Sequence, residues 1–286
     1  MDAGASPRRD IRVTWRQDSV RQYMLPGIQK QRPHFHALHE MLFVDSGEAV
    51  FQIGPREYRL RRGSLLFISN LEYHAISAYA GAYSRYSVCL SNDFLTEQIR
   101  VPALLSIFKL RPAGFFHQYD CTPEECEHVE HMFRLIYREY AEQREFWDTL
   151  LADKVYDVLV TLYRSHPRLF PGEARKGRSV VFEIQSYIDH HLTEPLALEE
   201  TARQFFVSAC HLSHIFKDVT GYSYKRYIVL ARIATAKDML LYTAQPIRDT
   251  CAASGFHDLS HFIRTFRALE GTTPHAYRTA GQKRDK

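Results

Sequence analysis

From Glu40 to Leu90 short apolar stretches alternate with turn residues: EMLFVDSGEAVFQIG, then REYRLRRGSLLFISN, then AYSRYSVCL. A period of two puts successive side chains on opposite faces of a strand, so Phe51, Ile53, Tyr58 and Leu60 share one buried face. Ser46-Gly47 and Gly54-Pro55 read as the reversing turns between antiparallel strands. A small antiparallel barrel fits this pattern best.

After Asp120 the period changes to three and four. Thr122 is placed to cap a helix that has Pro123 at its first position and Glu124 and Glu125 facing the positive end of its dipole. Val129, Met132, Phe133, Ile136 and Tyr140 then mark one face. A second helix is predicted from about Phe146 to His166, joined to the first by AEQRE, which makes a hairpin. Leu150, Leu151, Val155, Tyr156, Val158, Leu159, Val160, Leu162 and Tyr163 nearly encircle that second helix. Its apolar surface packs on the barrel, or else one side packs on the barrel and the other on a second copy across a two-fold axis. In the second case Leu151 and Leu162 are candidates for the exposed side.

His166 to Ser179, HPRLFPGEARKGRS, has two prolines, two glycines and no periodicity, and reads as a linker. Everything beyond it is helical by pattern. The predicted organisation is α+β with two domains: a barrel over 1–120 with a helical hairpin over 121–166, a linker over 167–179, and an all-α domain over 180–280.

At 286 residues the chain exceeds what one hydrophobic core usually serves, in line with that division. Apolar residues make up 45% and charged residues 24%, which excludes a mainly disordered or fibrous chain. No apolar run reaches the length of a membrane span, and the polar opening MDAGASPRRDIRVTWRQD has no signal-peptide core. A soluble, cytoplasmic protein without membrane contact is expected. The five cysteines form no CxxC pair and read as reduced thiols, although Cys121 and Cys126 are close enough to admit a redox pair. Net charge is +4, and from Arg178 onward there are 14 Lys and Arg against 11 Asp and Glu, so the basic excess lies at the C-terminal end.

Two blocks of the last hundred residues resemble each other: LALEETARQFFVSACHLSHIFKDVTGYS and PIRDTCAASGFHDLSHFIRTFRALEGTTP. Each reads as a short helix, a tight turn and a second helix, with Ser208 and Asp258 as caps and Gly255 supplying the positive φ of the second turn. Between them, Ser223 to Tyr242 carries an apolar stripe through Val229, Ile233, Ala236 and Leu240. A helix of that length spans roughly 30 Å, close to the roughly 34 Å turn of B-DNA, and can hold two reading helices in successive major grooves.

The pattern S-x-x-x-L-S-x-x-F-K-x-x-x-G-x-S-x-x-x-Y-x-x-x-x-R over Ser208 to Arg232 is followed by A-x-x-M-L at Ala236 to Leu240. Then comes G-F-x-D-x-S-H-F-x-R-x-F-R-x-x-x-G-x-x-P-x-x-Y-R over Gly255 to Arg278. Together they resemble the DNA-binding domain of the AraC/XylS family of bacterial transcription regulators. Thr201, Thr250 and Cys251 stand where that family usually has Leu, Ile and Ala. The resemblance implies two helix-turn-helix motifs joined by a long helix. With Leu212, Ile215, Phe216, Phe262 and Phe266 turned inward, the base-contact candidates are Ala209, Cys210, Ser213 and His214 in the first reading helix. In the second they are Leu259, Ser260, Ile263 and Arg264. Arg264 can donate two hydrogen bonds to guanine and stands where resembling proteins often place a base-contacting arginine. Lys217, Lys225 and Arg267 are the phosphate-contact candidates.

His34-x-His36-x-x-x-Glu40-x6-Gly47 and Gly63-x10-His74 resemble the two motifs of the cupin barrel, which opens many regulators of this family; Ser69 and Leu71 replace the Pro and Gly of the second motif. Two histidines on alternate positions of one strand, a carboxylate and a third histidine can converge on a divalent ion, contact an organic effector, or serve as internally satisfied polar groups. The expected function is a sequence-specific transcription regulator that senses a small molecule in its barrel, the effector contacts being His34, His36, Glu40 and His74. No catalytic residue, cofactor or resident metal is expected. The implied partners are double-stranded DNA, an effector such as a sugar or acid, RNA polymerase and a second copy of the chain. The alternative, a metal-dependent cupin enzyme, leaves residues 180–280 without a role.

Overall fold

The computed structural model describes residues 11–18, 33–112, 114–171 and 178–282. It divides into two compact units, Met1–Lys176 and Gly177–Lys286. The first is an antiparallel sheet backed by helices and the second is all helix, the α+β arrangement the sequence predicts.

The sheet runs in the order β1 (Ile11–Asp18), β5 (His74–Leu90), β2 (His39–Ile53), β4 (Ser64–Ile68), β6 (Gln118–Asp120), with β3 (Arg56–Arg61) also paired to β2. Gly54-Pro55 does turn β2 into β3, with Ile53 opposite Arg56. Ser46-Gly47 does not reverse the chain. The 15-residue β2 passes straight through it, and the register against β5 slips on either side of Ser46. The dipeptide is a bulge: Gly47 has φ +75°, and a Cβ there would stand 2.1 Å from the backbone oxygen of Ala82.

Alternation sorts the sheet into two faces. Met41, Phe43, Leu65, Phe67, Tyr86 and Val88 pack against four helices: α1 (Asn92–Gln98), α2 (Pro102–Lys109), α3 (Pro123–Glu142) and α4 (Trp147–Ser165). On the opposite, inner face Leu42, Val44, Phe51, Ile53, Tyr58, Leu60, Leu66, Ile68 and Tyr83 form a second cluster. The four residues predicted to share a face, Phe51, Ile53, Tyr58 and Leu60, all belong to it.

Helix α3 begins as the sequence indicates. Thr122 accepts from the Glu125 amide while the Glu125 carboxylate accepts from the Thr122 amide, a reciprocal cap that satisfies two otherwise orphaned donors. Leu151 and Leu162, expected to be exposed, are completely buried. Helix α2, which like α1 the apolar pattern did not suggest, accounts for this, since it packs against α4 within the same chain. The large apolar side chains left exposed on the hairpin are Tyr137, Phe146, Leu150 and Tyr163.

The second unit contains α5 (Arg178–His190), α6 (Leu198–Gln204), α7 (Ala209–Thr220), α8 (Tyr224–Tyr242), α9 (Ile247–Ala253), α10 (Leu259–Glu270) and α11 (Pro274–Gln282). Ser223 caps α8, whose 19 residues span about 28 Å. Ile233, Ala236 and Leu240 are buried, and Tyr227, Leu230, Ala231 and Ala234 bury further sides of the helix, while Val229 is half-buried. A helix packed by α7, α9 and α11 has no single stripe. The polar scaffold residues are satisfied: Thr201 bonds the Tyr224 hydroxyl at 2.7 Å, and the Thr250 hydroxyl donates to the Pro246 carbonyl. A buried ion pair, Lys237 to Glu270 at 2.8 Å, ties α8 to the last residue of α10. Among the described residues no helix is long and apolar enough to cross a membrane.

Candidate ligand pocket and nucleic-acid interface

Three of the four predicted pocket residues converge. His36 Nε2 lies 3.3 Å and His74 Nε2 3.5 Å from the same Glu40 oxygen, Oε2. His34 and His36 are not on a strand. β2 begins only at His39, and His34 makes an isolated bridge to His74, each amide donating to the other's carbonyl at 2.9 Å. His34 is exposed and its ring is tilted by 56° against that of His74, with centroids 4.4 Å apart.

Backbone partners set the orientation of the two inner rings. His36 Nδ1 faces the Leu38 carbonyl at 2.8 Å and His74 Nδ1 faces the Glu72 carbonyl at 2.9 Å. A carbonyl only accepts, so each Nδ1 carries the proton, and in the neutral rings both Nε2 lone pairs point at Glu40. The other Glu40 oxygen accepts from the Ser87 hydroxyl. Burial pushes the Glu40 carboxyl up, but the His36 bond, the neighbouring His74 and His36 charges and the Ser87 donor outweigh it and hold the group below the usual carboxylate range. His74 is lowered to about 4, first by burial and then by His36.

Ser87 and Cys89, absent from the sequence reading, complete this cluster. On β5 they pair across to β2, Cys89 opposite Glu40 and Ser87 opposite Leu42. The ligating atoms of His36, Glu40 and Cys89 all lie within 4.8 Å of one another. Their only sequence signal is alternation along β5, and that becomes informative once the cross-strand register is known. On the same inner face Arg85 lies over the rings of Phe51 and Tyr83, at 5.9 and 5.4 Å. Cys121 and Cys126 are different. Burial above all raises both thiols, Cys121 to about 12, which keeps them protonated and poor nucleophiles.

In the second unit the two helix pairs α6–α7 and α9–α10 turn in the same way. After α6, Phe206 donates to Arg203 and Val207 to Ala202; after α9, Gly255 donates to Ala252 and Phe256 to Cys251. Gly255 has φ +89°, as its predicted role requires. Phe206 holds the matching left-handed conformation, φ +55°, with its side chain 96% exposed. Ser208 and Asp258 cap α7 and α10 by accepting from the amides of His211 and His261. Leu212, Phe216, Phe262 and Phe266 are fully buried. Cys210, Ser213, His214 and Lys217 on α7, Lys225 on α8, and Leu259, Ser260, Arg264 and Arg267 on α10 are exposed, whereas Ala209 and Ile263 are half-buried. His211 and His261, equivalent exposed positions that the sequence reading passed over, stand beside these residues in both helices.

Residues 24–159 match the model of the AraC-like ligand-binding domain, and residues 201–280 match a helix-turn-helix domain. The chain is 22% identical over 235 residues to the HTH-type transcriptional activator RhaS of Klebsiella pneumoniae, covering 82% of each. It is 26% identical over 251 residues to the HTH-type transcriptional regulator YfiF of Bacillus subtilis, covering 86% of this chain and 78% of that one. Its fold is similar to that of apo ToxT from Vibrio cholerae, with a TM-score of 0.65 and 12% identity over 96% of this chain and 99% of that one. Matches to the family's ligand-binding and helix-turn-helix parts, in that order along one chain, place this protein in the AraC/XylS family, as a transcription regulator with an N-terminal ligand-binding domain and a C-terminal DNA-binding domain.

Proposed function

We propose that α7 and α10 are the reading helices, with Cys210, Ser213, His214, Leu259, Ser260 and Arg264 facing base edges and Ala209 and Ile263 contributing at their margins. Lys217, Lys225 and Arg267 hold phosphates and fix the register. The observation that carries this reading is the repetition itself: two capped helices of twelve residues, each with two buried inward anchors and an exposed polar face. The chain acts in the cytoplasm without catalysing a reaction, and RNA polymerase is its partner at the promoter.

The effector enters the inner face of the N-terminal sheet and meets His36, Glu40 and His74, with His34 at the margin. One solved structure of ToxT is described as bound to an unsaturated fatty acid. An apolar inner face that carries Arg85 suits a small acid in the same way, and the Glu40 cluster suits the hydroxyls of a sugar. The chain works as a homodimer through the hairpin, and the residues available for that contact are Tyr137, Phe146, Leu150 and Tyr163. Two linked DNA-binding domains then reach an affinity that one modestly basic domain lacks.

The test is Arg264→Ala in the full chain, assayed on the preferred operator and on single-base variants of it. The expected loss is about 1–3 kcal/mol with relaxed preference at one base position. A uniform loss on every sequence makes Arg264 a phosphate contact, and unchanged affinity removes α10 as a reading helix.

A further inference from the structure

We propose that Arg232 and Gly255 are positioning residues that lock the two helix-turn-helix pairs at one distance and rotation, so that the chain selects operators by the spacing between the two sequence boxes it reads; this rests on the reading of α7 and α10 as the reading helices and goes beyond it. The first support is an asymmetry between the two turns. Phe206 and Gly255 hold equivalent left-handed positions, with φ +55° and +89°. The conformation alone does not demand glycine, since Phe206 adopts it with its side chain out in solvent. At Gly255 the constraint is space. A Cβ there would stand 1.9 Å from the Leu192 carbonyl oxygen and 2.8 Å from Arg232 Nε, so the second turn lies directly against the segment that joins α5 to α6.

The second support is the clamp on that segment. Arg232, in the middle of α8, donates from Nε to the Leu192 carbonyl at 2.9 Å and from Nη2 to the Glu194 carbonyl at 3.0 Å. Two charge-assisted bonds from one planar fork fix direction as well as distance. Both carbonyls lie just past the C-terminal end of α5, where the helix dipole favours a positive group. Since α5 and α6 both pack on α7, the clamped segment moves with the first reading helix, while the turn at Gly255 leads straight into the second.

Helix α8 alone would leave a freedom that this clamp removes. Phe216 of α7 packs on Tyr227 near the start of α8, whereas α11 and α10 are tied to its far end, through Arg278 to the Leu240 carbonyl and through Lys237 to Glu270. Two bodies mounted at opposite ends of one helix can rock about it. A cross-tie between them, built from Arg232, the Leu192 carbonyl and the bare Gly255 backbone, holds their mutual angle. One base pair inserted between the boxes displaces the second by about 3.4 Å and turns it by about 35° around the duplex, a change that a locked pair cannot follow. Spacing is then discriminated without any contact to the spacer bases.

The experiment uses the full-length chain and the strongest duplex it selects from a random library, trimmed to one pair of boxes. Each box is scrambled in turn, and one base pair is inserted between them. The unmodified chain should weaken when either box is scrambled, and should lose at least about tenfold on the insertion, the cost of one or more base contacts. In Arg232→Ala the insertion should cost about threefold or less, because the loosened pair can adjust to recover the second box. Arg232→Lys, which keeps the charge and one donor centre, should restore part of the discrimination, and Phe206→Gly, at the open turn, should leave it unchanged. A role of Arg232 in holding a phosphate would weaken both duplexes alike and leave their ratio as it was. Thermal melts of each variant confirm the fold, and Arg232→Lys carries the test where Arg232→Ala does not fold. A ratio unchanged in the folded Arg232 variants overturns the proposal, as does an unmodified chain that tolerates the insertion while needing both boxes. Affinity indifferent to one scrambled box removes the corresponding reading helix, and the proposal with it.

Discussion

Glu40 and Glu72 are both largely shielded in the N-terminal unit, with side chains 11% and 18% exposed, and their surroundings could hardly differ more. Glu72 is closed in. Its Oε2 accepts from the Ser69 amide at 2.8 Å and from Arg111 at 3.1 Å, and its Oε1 accepts from His117 Nε2 at 2.8 Å. His117 is satisfied on its other side by the Tyr58 hydroxyl at 2.7 Å, and Arg111 lies 4.3 Å from the centre of the Phe115 ring. Burial raises the Glu72 carboxyl, but Arg111 and then His117 pull it down to about 2. Glu40, by contrast, has one hydroxyl donor and two histidine Nε2 atoms that face it as acceptors while the rings are neutral. A carboxylate met by donors on both oxygens is scaffold, even with Arg111 Nη2 left without a partner, and one faced by further acceptors is a place for something else to bind.

Removing the charge of the closed network should have the largest effect. Glu72→Gln turns an acceptor into a donor opposite Arg111 or the Ser69 amide and leaves a buried guanidinium without its counter-charge. A loss of about 3–5 kcal/mol is expected from denaturant midpoints. A loss below about 1 kcal/mol would erase the contrast between the two carboxylates.

The histidines sharpen the comparison through pH. His39, next to Glu40 on β2 but on the opposite face, accepts from the Asn70 amide at Nδ1 and donates from Nε2 to Asn92 at 2.8 Å, so its neutral form is fully satisfied. Burial first, then Lys109, lowers it to about 3. A histidine depressed in the folded state resists protonation while the unfolded chain takes up the proton. Stability is therefore complete above about pH 6.5 and falls as the pH drops towards the folded value, by about 1.5 kcal/mol between pH 6.5 and 5 for one such group. His39→Gln should flatten that part of the stability curve. Glu72 acts lower: its contribution is present above about pH 4.5 and is lost as the pH falls towards 2. A stability curve with the same slope in His39→Gln would show that His39 is protonated in the fold.

The legibility of each region follows from the range of the interactions that define it. The helix-turn-helix pairs were readable because caps, the glycine of the second turn and inward anchors all lie within twenty residues of one another: Ser208 with Leu212 and Phe216, Gly255 with Phe262 and Phe266. The first turn was less so, since Phe206 holds a conformation that composition would assign to glycine. In the sheet, alternation found the inner face but took Gly47 for a turn, because a bulge and a turn use the same residues. His36, Glu40 and His74 were singled out by resemblance to the cupin motifs. Cys89 was not, because its place opposite Glu40 comes from a strand register linking positions 49 apart in the chain. Leu151 and Leu162 were misplaced for the same reason: a helix apolar on several sides does not say which neighbour covers each side, and α2 is distant in sequence.

The smallest expected effect is at Glu40 itself. In Glu40→Gln without metal, the amide oxygen keeps the Ser87 hydroxyl, and the amide nitrogen brings two N–H donors to the lone pairs of His36 and His74. Three acceptors become two acceptors and a matched double donor, while a buried charge disappears. Fold stability should therefore change by no more than about 1 kcal/mol, and towards greater stability, against the several kcal/mol expected for the chemically identical change at Glu72. The two variants melted side by side in chelator give the measurement. Equal destabilisation would mean that Glu40 is held by charged histidines in a finished network, and the inner pocket would then be scaffold like the other.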